Sequence, residues 1–216
     1  MCKLIGGKPN VAVFNILIHA FVKRGTHNTA LQFYREMVVK HRVKPDVFTF
    51  HILISGYCRN SQFGLALEMF HEMGNMGCEP NVSTFNTLIK GLFREVKVDE
   101  AIGMAREMVQ LGILFSSVTC AILVNGLCKE GRVLQACELL LEFCDNRVLP
   151  EGFDCFALVE VLCGEGYVVR ALEVVYELCN AGSVPSLVAC IIMVDGLRGL
   201  GKIEESRILV ERMLQE

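Results

Sequence analysis

Eleven cysteines and four evenly spaced cations are the residues of this 216-residue chain whose chemistry asks first for an account. Cysteines can cross-link, ligate metal or attack a substrate. Disulfide scaffolds suit short secreted chains, and no succession of basic, apolar and small residues opens this one, so a reducing environment is expected. No Cys-x-x-Cys occurs and no His-x-x-x-His lies near a cysteine, whereas tetrahedral zinc usually needs such a close pair. Walker lysine loops, dinucleotide glycine fingerprints and nucleophile elbows do not occur. The expectation is a chain with no catalytic residue, no metal and no cofactor.

The cations read differently. Lys23, Arg59, Arg94 and Lys129 follow one another at steps of 36, 35 and 35 residues. Equal spacing delivers equivalent side chains from repeated units, and such a stripe could follow a phosphate backbone even on an acidic chain. The same residues also suit the last turn of a helix, where positive charge meets the negative end of the dipole. The net charge of −3 and pI near 6.0 argue mildly against nucleic acid. Hydrophobic content of 52% and mean hydropathy of +0.43 are high, yet charge, Gly or Pro interrupts every apolar run before the ~18–20 residues that span a bilayer. No membrane partner is expected.

The unit behind the spacing is legible in four columns. Pro45, Pro80, Pro150 and Pro185 share one 35-residue ladder, with Phe115 on the vacant rung. Pro9 sits 36 residues before Pro45, which places one extra residue in the Val38 to Lys44 stretch. Ala30, Ala66, Ala101, Ala136, Ala171 and Ser206 form a second ladder. Met37, Met73, Met108, Phe143, Leu178 and Met213 form a third, and Ala20, Gly56, Gly91, Gly126, Val161 and Gly196 a fourth. Such a period means stacked supersecondary units.

Inside the unit the apolar spacing is helical. Phe85, Leu88, Ile89 and Leu92 make one stripe, and Val98, Ala101, Ile102, Ala105, Met108 and Val109 make another after a short polar turn. Helix, turn, helix is the expected unit, with small residues where helices cross closely and Pro ending the second helix. The repeats then span 11–46, 47–81, 82–116, 117–151, 152–186 and an incomplete 187–216, with 1–10 as the tail of a preceding repeat. Uncapped ends of such an array are expected to fray or self-associate.

Val82-Ser83-Thr84-Phe85-Asn86-Thr87-Leu88-Ile89-Lys90-Gly91-Leu92 resembles the opening helix of a pentatricopeptide repeat. Gly126-Leu127-Cys128-Lys129-Glu130-Gly131-Arg132 resembles that family's link between helices, and Glu68-Met69-Phe70-His71-Glu72-Met73 its second helix. The related tetratricopeptide repeat has a period of about 34 and a Trp-rich signature, and this chain has no Trp. The resemblance, to a P-type array, implies an all-α fold: an α-solenoid, a right-handed superhelix of tandem 35-residue helix-turn-helix repeats. It also implies single-stranded RNA as the partner, read one base per repeat, in RNA processing, stability, splicing or translation in plant mitochondria or chloroplasts.

By the same resemblance, bases are read by the fifth residue of each repeat together with the last. These pairs are Asn15 with Asp46, His51 with Asn81, Asn86 with Ser116, Ala121 with Glu151, and Phe156 with Ser186. Asn15 with Asp46 implies uracil and Asn86 with Ser116 cytosine, while the base for His51 with Asn81 stays open. Second-position residues flank the bases in the family, so Phe48 and Phe153 are candidates for stacking, packing between helices being the alternative. Lys23, Arg59, Arg94 and Lys129 become candidate phosphate contacts. Ala121, Phe156 and Ile191 cannot hydrogen-bond a base edge, and a protein partner through repeats 4–6 is the rival expectation. Cys58, Cys128 and Cys163 in one column, and Cys120, Cys155 and Cys190 in another, are expected to be core.

Overall fold

In the computed structural model, every regular element among the described residues is a helix. Residues 10–145, 148–149, 155–180 and 186–213 are described, with backbone alone at 145, 212 and 213. Pro9, Pro150, Pro185, Glu151, Phe153 and the 1–10 tail, apart from Asn10, lie outside these residues. The chain divides into two compact units, Met1–Met108 and Val109–Glu216.

The first unit is built from α1 (Val11–Lys23), α2 (His27–Arg35), α3 (Val47–Arg59), α4 (Phe63–Asn75), α5 (Val82–Arg94) and α6 (Val98–Gln110), the last running just past the unit boundary. The second comprises α7 (Ser117–Lys129), α8 (Val133–Asp145), α9 (Phe156–Gly164), α10 (Val168–Asn180), α11 (Leu187–Gly199) and α12 (Ile203–Met213). Odd-numbered helices pack side by side, α1 on α3 on α5 and α7 on α9 on α11, and α3, for one, also packs on its own partner α4.

A polar cap starts every first helix but α9, which begins after Cys155. Asn10, Asp46, Asn81, Ser116 and Ser186 accept the N–H of Val13, Thr49, Thr84, Thr119 and Ala189 at 2.8–3.4 Å, satisfying a donor that a helix start leaves open. After each first helix the chain turns through a left-handed residue: Gly25, Gly131, Gly166 and Gly201, but Ser61 and Val96 on the other two rungs. Val96, at φ 59° and 65% exposed, is β-branched where a Cβ clashes with the backbone, at a cost of about 1–2 kcal/mol. Val96→Gly is expected to stabilise the chain by about 1 kcal/mol, the relief less the extra entropy glycine loses. A thermal midpoint raised by about 2–4 °C checks it; an unchanged midpoint shows that the rung carries no strain.

The extra residue of the first repeat is absorbed locally. Beyond Arg35 the chain widens into a π-helical turn, Glu36–Lys40, where the N–H of His41 reaches the carbonyl of Glu36 at 3.0 Å. Arg42 then turns at φ 51°. The extra residue falls after Met37, which is fully buried with Met73 and Met108 in its column, and the wider turn lets the N–H of Val43 reach the Met37 carbonyl at 3.0 Å as that of Cys78 reaches Met73 at 2.9 Å.

The other columns supply the core as well. Ala30, Ala66, Ala101, Ala136 and Ala171 are all 0–1% exposed, and Phe115, on the proline rung, is buried edge-on to Phe143 at 4.5 Å between centroids. Gly56 and Gly91 mark close approach: a Cβ on Gly56 would lie 2.5 Å from Val22 Cγ1, and one on Gly91 2.9 Å from Cys58 Sγ. Ala20 departs from its column and is exposed, and Val109 is half-buried where its stripe called for burial. Cys58, Cys120, Cys155 and Cys190 are buried, while Cys128 and Cys163 are only half so. Burial pushes the Cys58 thiol up to about 11 and the Cys120 thiol to about 12, far from the thiolate a nucleophile needs.

Candidate nucleic-acid interface

An α-helix advances about 100° per residue, so the second, ninth and thirteenth positions of a first helix fall within about 20° of one line. In α1 the line is Ala12, His19 and Lys23; in α3, Phe48, Ser55 and Arg59; in α5, Ser83, Lys90 and Arg94. All are exposed except half-buried Ser55. Since α1, α3 and α5 are neighbours in one unit, these lines form adjacent tracks, each ending in a cation. Phe48 is 58% exposed, which removes the alternative of packing between helices and leaves its ring open to a planar ligand.

The cations of the tracks differ from four others of the chain. Lys97, Arg170, Lys202 and Arg207 pair with glutamates three or four residues away on their own second helices. Lys23, Arg59 and Arg94 are exposed and join no ion pair among the described residues, although Arg59 Nε donates to its own helix at Ser55 O, 3.2 Å. They are free to meet an external anion.

Beside the first track lies a polar cluster. Asn15, on α1, is 5% exposed, and its Nδ2 donates to Asp46 Oδ1 at 3.1 Å. Thr49 Oγ1 lies 2.7 Å from Asn15 Oδ1 and 2.8 Å from Asp46 Oδ1. Burial alone would raise the Asp46 carboxyl, but hydrogen bonds from Thr49 and Asn15 outweigh it and hold the group below the usual carboxylate range. Val11, Ala12, Asn15, Ile16, His19, Asp46 and Phe48 together line an open cavity of about 420 Å³. A planar base has room there, between an apolar wall and the free valences of one carboxamide.

The other expected pairs are held differently. His51 is half-buried, and burial followed by the Arg59 cation lowers its imidazole from the ordinary value, so it is neutral at pH 7. Asn81 turns Oδ1 onto Thr84 N and Oγ1 at 3.0 and 3.2 Å, and among the described residues no hydrogen bond joins it to His51. Asn86 belongs to the first unit and Ser116 to the second. Asn86 Oδ1 is buried without a protein hydrogen-bond partner, an acceptor whose desolvation costs about 1–3 kcal/mol unless something meets it. Ser116 forms a reciprocal capping box with Thr119.

Two features of the site do not follow from periodicity alone. The last-position residues Asp46, Asn81 and Ser116 cap the next helix, Asp46 lining the cavity as well, and a Thr column, Thr49, Thr84 and Thr119, fully buried at the third position, supports them. The signal is in the sequence: Asp-x-x-Thr, Asn-x-x-Thr and Ser-x-x-Thr precede the first helices of the second, third and fourth repeats, a spacing that marks a helix start.

In the second unit the ninth position changes sign. Lys129 closes α7, but the 152–186 and 187–216 repeats carry exposed Glu160 and Asp195 as their ninth residues and Gly164 and Gly199 as their thirteenth. Residues 1–108 hold 13 Lys and Arg against 9 Asp and Glu, a net of +4, whereas 109–216 hold 8 against 15, a net of −7. All five histidines are in the first unit.

Comparison with known proteins fits this geometry. The fold superposes on the maize pentatricopeptide repeat protein PPR10 bound to an 18-nt psaJ RNA element, with a TM-score of 0.64 and 22% identity over 97% of this chain. The chain spans 29% of that protein's length. It also superposes on the PPR domain of the Arabidopsis thaliana protein-only RNase P 1 in complex with tRNA, with a TM-score of 0.61 and 18% identity over 87% of this chain and 98% of that one. No curated protein sequence matches the chain at a significant level. The model of the PPR repeat family matches residues 9–59, 45–94 and 80–129, and that of the PPR repeat matches 118–148. With repeat-family matches covering well over half its length, and an all-α helical-repeat fold shared with these proteins, the chain belongs to the PPR repeat family.

Proposed function

We propose that the chain binds single-stranded RNA chiefly through its first unit, one base per hairpin, and catalyses nothing itself. The observation that carries the reading is the juxtaposition, in one unit, of three tracks ending in unpaired cations with the Asn15–Asp46 cavity and the exposed ring of Phe48. RNA-bound relatives of the same fold support it. In this reading Asn15 with Asp46 takes uracil and Asn86 with Ser116 takes cytosine, the hairpins following the limits 11–46, 47–81, 82–116 and onward. Phe48 stacks on a base, and Lys23, Arg59, Arg94 and Lys129 hold phosphates. Phe153 lies outside the described residues and its role rests on the family alone. The work is organellar RNA metabolism, in mitochondria or chloroplasts.

The second unit favours a different partner. Exposed Val118, Leu187, Val188 and Ile191, together with Glu160 and Asp195, suit a protein better than a polyanion. Fluorescence anisotropy of the chain with labelled RNA pools at low salt tests the division. Binding to pyrimidine-rich RNA, weakened by added salt, is expected; no binding to any pool at low salt turns the reading to a protein-binding scaffold throughout.

A further inference from the structure

The uracil preference assigned to Asn15 requires more than an asparagine. A carboxamide has one edge that donates and one that accepts, nearly equal in shape, and a free side chain can turn over and exchange them. Uracil offers O4 as acceptor beside N3–H as donor, while cytosine offers N4–H₂ as donor beside N3 as acceptor. An asparagine free to turn over would therefore serve either pyrimidine. Discrimination needs the amide locked one way round.

The structure shows two locks. Asp46 Oδ1, 3.1 Å from the amide, belongs to an ionised carboxylate and can only accept, so the edge facing it must be Nδ2. Thr49 supplies the other. Its hydroxyl accepts the N–H of Asp46 at 3.1 Å, and its one proton is shared between two acceptors, Asn15 Oδ1 at 2.7 Å and Asp46 Oδ1 at 2.8 Å. Turning the amide over would set Oδ1 against the carboxylate and leave the threonine hydroxyl with the carboxylate as its one acceptor. In the locked state each amide atom keeps one free valence, an N–H and a lone pair in fixed order, beside the cavity that Ala12, Ile16, His19 and Phe48 line.

We infer that Thr49, the third residue of the following hairpin, is a positioning residue that fixes the donor–acceptor order of Asn15 and so selects uracil over cytosine there. It rests on the RNA-binding reading of the first unit. Thr49 is fully buried and touches no base; it acts through Asn15. On this view the readout of a hairpin depends on three residues, its own fifth and last and the third of the next.

Thr49→Val keeps the shape and the β-branch and removes the hydroxyl. With RNAs differing only by uracil or cytosine at the nucleotide facing Asn15, the affinity ratio is expected to fall by about fivefold, the worth of one hydrogen bond, and Thr49→Ser to restore it. A capping role alone would lower the thermal midpoint and weaken both RNAs equally, leaving the ratio unmoved. An unchanged ratio in a folded Thr49→Val protein overturns the inference; if that variant does not fold, Thr49→Ala is judged by the same ratio. Failure of the wild-type chain to distinguish the two RNAs would instead sink the reading of Asn15 itself.

Discussion

Phe50→Ala is expected to cost about 3–5 kcal/mol of folding stability, and Phe48→Ala, two residues away on the same helix, close to nothing. Phe50 is fully buried on α3 and meets Tyr34 edge-on at 5.8 Å between ring centroids. Its removal takes a large apolar surface from water's exclusion and leaves a void that the fixed helix spacing cannot close. The location compounds the loss, because α3 packs on α1, α2, α4 and α5, and in a repeat array stability resides in such neighbour contacts. Against a typical total of about 5–15 kcal/mol, the first unit is brought to the edge of unfolding. Phe48 is 58% exposed and has little burial to lose. Urea unfolding followed by helical circular dichroism separates the two; equal losses would mean that the face assigned to ligand is packed.

Replacing Lys23, Arg59 and Arg94 together by alanine is expected to weaken RNA binding by about a hundredfold or more at low salt. The signature is the salt dependence. Each phosphate neutralised on a single strand contributes about 0.7 to the slope of log affinity against log salt, so losing three lowers the slope by about 2. The fold should be indifferent, since these side chains are exposed and join no ion pair among the described residues. Alanine at Lys97, Lys202 and Arg207, which pair with neighbouring glutamates, is the control and should leave the slope in place. A triple variant with wild-type slope would reduce the cation column to solvated helix ends.

The hairpins were legible because burial repeats: Ala30, Met37 and their successors each return to the same closed environment, so one residue type recurs at one interval. The interface was less so. That Asn15 is 5% exposed and bound by Asp46 and Thr49 depends on residues 31 and 34 positions on, brought there by packing of α1 on α3. Periodicity names the column but not its hydrogen bonds. The π-helical turn at Glu36–Lys40 shows the same limit. An extra residue is countable, yet whether it makes a loop or widens a helix is decided by the chain's return to the Met37 carbonyl through the N–H of Val43. The exposure of Ala20 and the strained turn at Val96 likewise reflect local surroundings that a column of similar residues does not encode.

The most direct test measures the affinity of the chain, Asn15→Ala and Asn86→Ala for short RNAs in which one nucleotide at a time is changed, at fixed salt. The wild-type chain should prefer uracil at one position and cytosine at another, separated by a single nucleotide. Asn15→Ala should erase the first preference alone, and Asn86→Ala the second alone. Preferences that survive both substitutions, or affinity that ignores base identity at every position, would contradict the claim that these hairpins deliver reading residues to successive nucleotides.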